Sequence, residues 1–293
     1  MDYIVRAIDV SGSIKISAAI TTGVVEKARM THNLSKTASS ALGRTLTAGL
    51  IMTDALKNEQ DSLTINIKGD GPLGRIVVTG KNDGKIKGYV DNPSADLPVR
   101  EIDNKIDVSG VVGSGLLTIV TDMGLKEPYV GQVNLVSGEI AEDIANYLYI
   151  SDQVPSAVGL GVLVNTDYSI KAAGGFILQL LPDADEEIIS KIESNIQNMQ
   201  NVTEMINLNY SAEDIVKTIT NGLEVKFLEK KEVFYECDCS KEKMESALAA
   251  IGKNELNNII EEDGHAELSC YFCNRKYDFD KAELENLIET SCD

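Results

Sequence analysis

All five cysteines of this 293-residue chain follow Glu236, and four of them form two tight pairs, Cys237-Asp238-Cys239 and Cys270-Tyr271-Phe272-Cys273. Zinc prefers four soft ligands in a tetrahedron, with Zn–S near ~2.3 Å. A C-x-x-C turn presents two sulfurs to one ion, and a second pair from elsewhere completes the shell. The segment carrying the pairs is short and has few large apolar side chains, and a domain that small needs a staple. Metal binding then supplies much of its folding energy. The pattern therefore predicts one Zn2+ per chain, held by Cys237, Cys239, Cys270 and Cys273. Free cysteines can be small buried hydrophobes, but that does not explain why the preceding 236 residues contain none. Cys292 has no pair in the pattern and reads as an incidental free thiol. His265 is expected on the surface or in a loop, because four thiols already fill the shell.

The first pair is unusual, since structural zinc sites mostly use C-x(2–4)-C. A C-x-C pair sets its sulfurs close together on a short loop. Clustered thiolates oxidise more readily than thiols, and a small-ring disulfide is easily reduced again. Residue chemistry alone leaves two outcomes open. One is a purely structural zinc site, the commoner case. The other is a switch, folded when reduced and metal-bound, locally unfolded when oxidised.

The cysteines are not spread along the chain as in a secreted disulfide scaffold. The N-terminal sequence lacks a basic stretch followed by an apolar run, and no segment approaches the ~18 apolar residues of a membrane helix. A cytoplasmic protein without membrane contact is expected. The net charge of −19 is uneven: 26 acidic and 11 basic residues follow Gln179, a balance of −15, against −4 before it. An acidic C-terminal half repels phosphate backbones, so no nucleic-acid partner is expected.

Residues 1–179 read as an α+β core domain of mixed sheet and helix. Apolar runs bounded by Gly, Asp and Asn predict strands over Leu63 to Ile67, Arg75 to Val78, Ile86 to Val90, Leu116 to Val120, Gly131 to Val136 and Ala157 to Val164. A helix rich in Ala, Ser, Thr and Gly is expected from Ser35 to Leu56. Another is expected from Gly138 to Tyr149, with Ser137 as its N-cap. Irregular order of strands and helices favours α+β over strict alternation. Residues 180–231 read as a helical linker. Asp183 with Glu186 suggests a capped start, and Ile188, Ile192, Ile196 and Met199 fall on one helical face. Ile and Asn are middling helix formers, so this helix depends on docking that face. Ser211 with Asp214 starts a second helix. Residues 232–293 form the C-terminal zinc-binding module, with helices expected after Ser240, Asn254 and Asp280.

Catalytic readings find little support. Gly69-Asp70-Gly71-Pro72-Leu73-Gly74 matches G-x-G-x-x-G, but the following Arg75 to Gly80 reads as a strand where a dinucleotide site needs a helix. Only two histidines, His32 and His265, are present, and no Ser/His/Asp set or carboxylate pair emerges, so no enzyme is expected. A thiol–disulfide oxidoreductase built on Cys270 and Cys273 would carry the pair at a helix start within a βαβ unit. Here the pair leads into a turn and the aromatic residues Tyr277 and Phe279. A zinc-ribbon interaction module with a structural metal is the remaining alternative.

The spacing C-x-C, about thirty residues, C-x-x-C resembles the heat-shock protein 33 family of redox-regulated bacterial chaperones. Gly69 to Gly74, Lys87-Gly88-Tyr89-Val90, Glu127-Pro128-Tyr129, Ser137 to Asp143, Pro155 to Gly159 and Ala173-Gly174-Gly175 resemble that family's core-domain motifs, in order. The resemblance implies an ATP-independent holdase. In the reduced form zinc sits on Cys237, Cys239, Cys270 and Cys273. Peroxide or hypochlorous acid drives the redox-active disulfides Cys237–Cys239 and Cys270–Cys273. Zinc is lost, the C-terminal module unfolds, the linker loosens, and apolar surface captures unfolding client proteins. The active form is typically a homodimer.

Overall fold

The structure, a computed structural model, describes residues 1–291; Cys292 lies outside the described residues. The first of two units ends at Glu236 and the second begins at Cys237. In chain order the first contains β1 (Tyr3–Asp9), β2 (Ile14–Ile20), α1 (Thr22–His32), α2 (Lys36–Asp54), β3 (Ser62–Gly69), β4 (Arg75–Lys81), β5 (Lys85–Val90), α3 (Val108–Val112), β6 (Gly115–Asp122), β7 (Tyr129–Asn134), α4 (Ala141–Ile150), β8 (Ser156–Val164), β9 (Ile170–Leu180), α5 (Glu186–Asn198), α6 (Val202–Asn207), α7 (Ala212–Ile219), β10 (Val225–Glu232) and β11 (Phe234–Tyr235). The fold class is α+β, as the irregular order of elements predicts.

Two sheets dominate this unit. One has the order β10-β1-β2-β9-β8 and the other β11-β5-β4-β3-β6-β7. All pairings are antiparallel except β11 with β5. Helix α2 lies between the sheets. Its Leu42, Leu46 and Leu50 share one core with Ile4 and Ile177 of the first sheet and Ile65, Val78 and Ile119 of the second. The small residues noted in this helix make the fit possible. A Cβ on Gly49 would come within 2.8 Å of Ile86, and one on Gly43 within 2.6 Å of Val25. Ser35 caps the helix, its Oγ accepting from Ala38 N at 3.0 Å.

Alternation along β1 and β2 gives the first sheet a second apolar face. Val5, Ala7, Ile14, Ile16 and Phe176 on that face pack against α5, α6 and α7 through Ile192, Val202, Met205, Ala212, Ile215 and Ile219. The helices expected as a separate linker therefore lie inside the first unit, and the stretch ends in a strand. Val225–Glu232 pairs with β1 at the sheet edge instead of continuing as helix. Asp183 is not the start of α5, because it has φ +62°; Asp185 is the N-cap and accepts from Glu187 N. Helix α5 stops at Asn198, so Met199, expected on its apolar face, follows the helix, and a break separates α5 from α6. Ser211 and Asp214 do form a reciprocal capping box on α7.

One further start in this unit differs from expectation. Helix α4 begins at Ala141, not after Ser137, because the buried Asp143 carboxylate gathers the N–H groups of Val136, Ser137 and Ile140 at 2.7, 3.1 and 3.0 Å and holds the preceding residues in a loop. The glycine-rich Gly69–Gly74 segment is a turn between β3 and β4, folded against α3, with Gly71 N donating to Val112 O at 3.0 Å. A side chain at Gly69 would collide with that same carbonyl.

The second unit contains α8 (Lys241–Ala249), α9 (Lys253–Glu262), β12 (His265–Ser269), β13 (Lys276–Asp280) and α10 (Lys281–Ser291). Ser240 caps α8, whereas α9 starts from Gly252, not from Asn254, which falls within its first turn. Asp280 and Glu283 bond each other's backbone N–H at 2.9 and 3.0 Å and open α10. Its buried apolar centre consists, among the described residues, of Leu248, Leu256, Phe279, Leu284 and Leu287, with half-buried side chains such as Met244, Ile259 and Leu268 packed around it. Among the described residues, no helix is long and apolar enough to cross a membrane.

Candidate metal centre

The four sulfurs meet at one point of the second unit. Cys237 and Cys239 lie in the extended segment between β11 and α8, and Cys270 and Cys273 lie in the connection of the β12–β13 hairpin. All four Sγ atoms lie within 4.8 Å of one another. Across the pairs, Cys237–Cys270 is 3.7 Å and Cys239–Cys273 is 3.3 Å. A tetrahedron with ~2.3 Å Zn–S arms has edges of about 3.8 Å. The free thiols therefore stand at coordination spacing, too far apart to be bonded to one another. Their chemistry and separation fit a zinc ion, and among the described residues they form the only such cluster of Cys, His, Asp or Glu.

The backbone builds each half of the site. In the hairpin, Cys270 N donates to Arg275 O at 2.9 Å, and Cys273 and Asn274 N both donate to Cys270 O, at 3.3 and 2.8 Å. Asn274 supplies the left-handed turn with φ +56°, a conformation asparagine tolerates. That knuckle aims Cys270 and Cys273 at one point. On the other side, Lys243 Nζ holds Asp238 through its carbonyl at 2.9 Å and its carboxylate at 2.6 Å, fixing the residue between Cys237 and Cys239.

The thiols are electrostatically unequal. Burial pushes the Cys237 and Cys273 thiols up. Burial also acts on Cys239, but hydrogen bonds from Tyr277 and the neighbouring thiols outweigh it and bring Cys239 down to about 7. The Tyr277 hydroxyl donates to Cys239 Sγ at 3.1 Å. Sequence reading singled out Tyr277 as one of an aromatic pair and missed this role, because the contact spans two elements far apart in the chain. Its partner Phe279 is core. His265 stands exposed on β12, with Nδ1 near Asp263 O at 3.0 Å, and is outside the sulfur cluster. His32 is buried elsewhere, in the first unit, at 2.9 Å from the Tyr235 hydroxyl.

A family model described as Hsp33 protein matches residues 2–280. This chain belongs to the Hsp33 family. Among its relatives, the 33 kDa chaperonin of Desulforamulus reducens is 48% identical over 288 residues, covering 98% of this chain and 97% of the relative. The 33 kDa chaperonin of Thermoanaerobacter pseudethanolicus is 47% identical over 288 residues, covering 98% of each. The crystal structure of the 33 kDa chaperonin of Thermotoga maritima superposes with a TM-score of 0.90 at 38% identity, covering 98% of this chain and 97% of that one. The resemblance drawn from the sequence motifs thus extends over nearly the whole length of the chain.

Proposed function

We propose that this family member is a redox-regulated, ATP-independent holdase chaperone, acting as a binder of unfolding proteins and not as an enzyme. The observation that carries the reading is the cluster of four thiols within 4.8 Å in a unit with a very small apolar core. Cys237, Cys239, Cys270 and Cys273 hold one Zn2+ in the reduced, inactive form. The ion, when bound, cross-links the N-terminal end of the unit to its hairpin and supplies folding energy the core lacks.

Oxidation converts Cys237 with Cys239, and Cys270 with Cys273, into disulfides. Each pair of thiols gives up two electrons and two protons to one hydrogen peroxide, which becomes two waters as the S–S bond forms. Held on zinc, all four sulfurs are thiolates, the form of cysteine that peroxide attacks. With its ligands consumed, the second unit loses its cross-link and unfolds. The disturbance passes along the chain, since Tyr235 of β11 is followed within two residues by Cys237. Helices α5 to α7 then loosen. Their release bares Ile188, Ile192, Ile196 and Met199 and the sheet residues Val5, Ile16 and Phe176, an apolar surface suited to unfolding chains. The reducing cytoplasm is the compartment in which such a switch is off. The active form is a homodimer and binds neither membrane nor nucleic acid; the −15 balance after Gln179 repels the latter.

The test is zinc content, circular dichroism and suppression of client aggregation, measured together on reduced protein before and after peroxide. One zinc released per chain, lost helicity and new suppression are expected. Reduced protein that is metal-free yet fully ordered after Glu236, or suppression indifferent to zinc release, would refute the reading.

A further inference from the structure

The first unit encloses a cavity of about 520 Å3 between its two sheets, within the roughly 300–1,000 Å3 span of small-ligand sites. Its origin is geometric. Helix α2 ends at Asp54, and Ile51 and Met52 of its final turn, with Leu56 just beyond it, form one wall, while the sheets run on past the helix end. Arg6, Ser17 and Ile177 stand opposite one another in one row of the first sheet, and Ile8, Lys15 and Gln179 form the next row outward. Ile119 and Leu63 line it from the second sheet, and Tyr147 and Leu148 from α4. Ile51, Leu63, Ile119, Leu148 and Ile177 are all buried, so the interior is apolar.

The charges on this cavity are few and unequal. Arg6 is committed to Asp54 at 3.2 Å and to Glu229. Asp152 is turned to the hydroxyls of Ser151 and Tyr147, and burial raises its carboxyl above the usual range. Lys15 is exposed on the rim and has no ion pair among the described residues. An apolar chamber with one uncommitted ammonium at its edge is complementary to a chain that is apolar along its length and anionic at one end.

We propose that this cavity binds a single-chain amphiphile with an anionic head, a long-chain carboxylate, its tail against Ile51, Ile119 and Ile177 and its carboxylate at Lys15. The site lies wholly in the first unit and is independent of the metal centre. A neutral apolar molecule leaves Lys15 without a counter-charge, and a cationic amphiphile meets Lys15 as a like charge.

The test is calorimetric titration of the full-length, reduced, zinc-loaded chain with dodecanoate, dodecanol and dodecyltrimethylammonium below their micelle concentrations. Dodecanoate is expected to bind saturably at one site, about tenfold or more tighter than either of the others. Lys15→Glu is expected to weaken dodecanoate about tenfold while leaving dodecanol unchanged; Lys217→Glu, at an exposed position of α7, is expected to alter neither. The chain has no tryptophan, so Met52→Trp offers a separate fluorescence readout at the wall. Binding that does not saturate, equal binding of the three amphiphiles, or equal effects of Lys15→Glu and Lys217→Glu would overturn the proposal. Zinc release by peroxide is scored apart, so failure here leaves the chaperone reading standing, and the reverse.

Discussion

Replacing Ile215 by Ala tests whether docking of the helices on the first sheet is what holds the protein inactive. Ile215 on α7 is fully buried against the sheet. The substitution removes three carbons, worth about 2.4 kcal/mol at ~0.8 kcal/mol each. The unfilled space adds to this, and large-to-alanine changes in cores cost about 2–5 kcal/mol in total. Taking about 3 kcal/mol, the equilibrium between docked and released helices shifts by roughly a hundredfold. The protein should keep its zinc and show faster hydrogen exchange over residues 186–219. It should also suppress client aggregation while still reduced. Leu46→Ala in α2 is the control, because it costs a similar amount in the core between the sheets and leaves the α7 face intact. If Ile215→Ala releases the helices by exchange but captures no client, or if Leu46→Ala activates equally, the reasoning fails.

Tyr277→Phe removes the hydroxyl donor to Cys239; outer partners of metal ligands are worth roughly 10–100-fold in affinity, and competition with a zinc chelator should show a loss near the low end of that range. Glu213 joins α7 to β1 and β10 through Tyr3 at 2.6 Å and Lys230 at 3.0 Å. Burial raises its carboxyl, but those two hydrogen bonds outweigh it and hold it below the ordinary 4.5. With the folded value depressed, this tie is complete above the unfolded value and fades as pH falls through the folded one. Exchange in α7 should therefore accelerate below pH 4.5, and Glu213→Gln should flatten that dependence. Asp143→Asn turns an amide N–H2 toward backbone donors that the carboxylate now accepts. A cost of about 2–4 kcal/mol, or roughly 5–15 °C in Tm, should appear in thermal unfolding of the first unit.

The four-sulfur cluster was legible because residue type and spacing carry it: two tight cysteine pairs point to one meeting place. The strands from β3 to β8 were legible for a similar reason, since Gly, Asp and Asn punctuate their apolar runs. Helix starts were less so wherever a tertiary contact decides them. Asp143 reads locally as an ordinary first-turn acid, yet it is buried and organises the loop before α4. Strand β10 gave no signal, because Val225–Glu232 is rich in Lys and Glu. It is a strand only because β1 offers it an edge. The helices from α5 to α7 carried their apolar stripe in plain view. That the stripe belongs to the first unit depends on the alternation of β1 and β2, which no local pattern in the helices reveals.

Both ends of the stretch from α5 to α7 are sewn into the same sheet. Strand β9 ends at Leu180 and β10 begins at Val225, each with a hydrogen-bonded neighbour. Under the proposed release, the intervening residues would become a closed garland instead of a loose tail, hanging beside the very strands they had covered. Closing a long loop costs little more than closing a short one, so the garland stays near its seat at a high local concentration. In that reading a cargo held against the bared strands would sit beneath it, and the return of the helices to their seat would compete directly for the ground the cargo occupies.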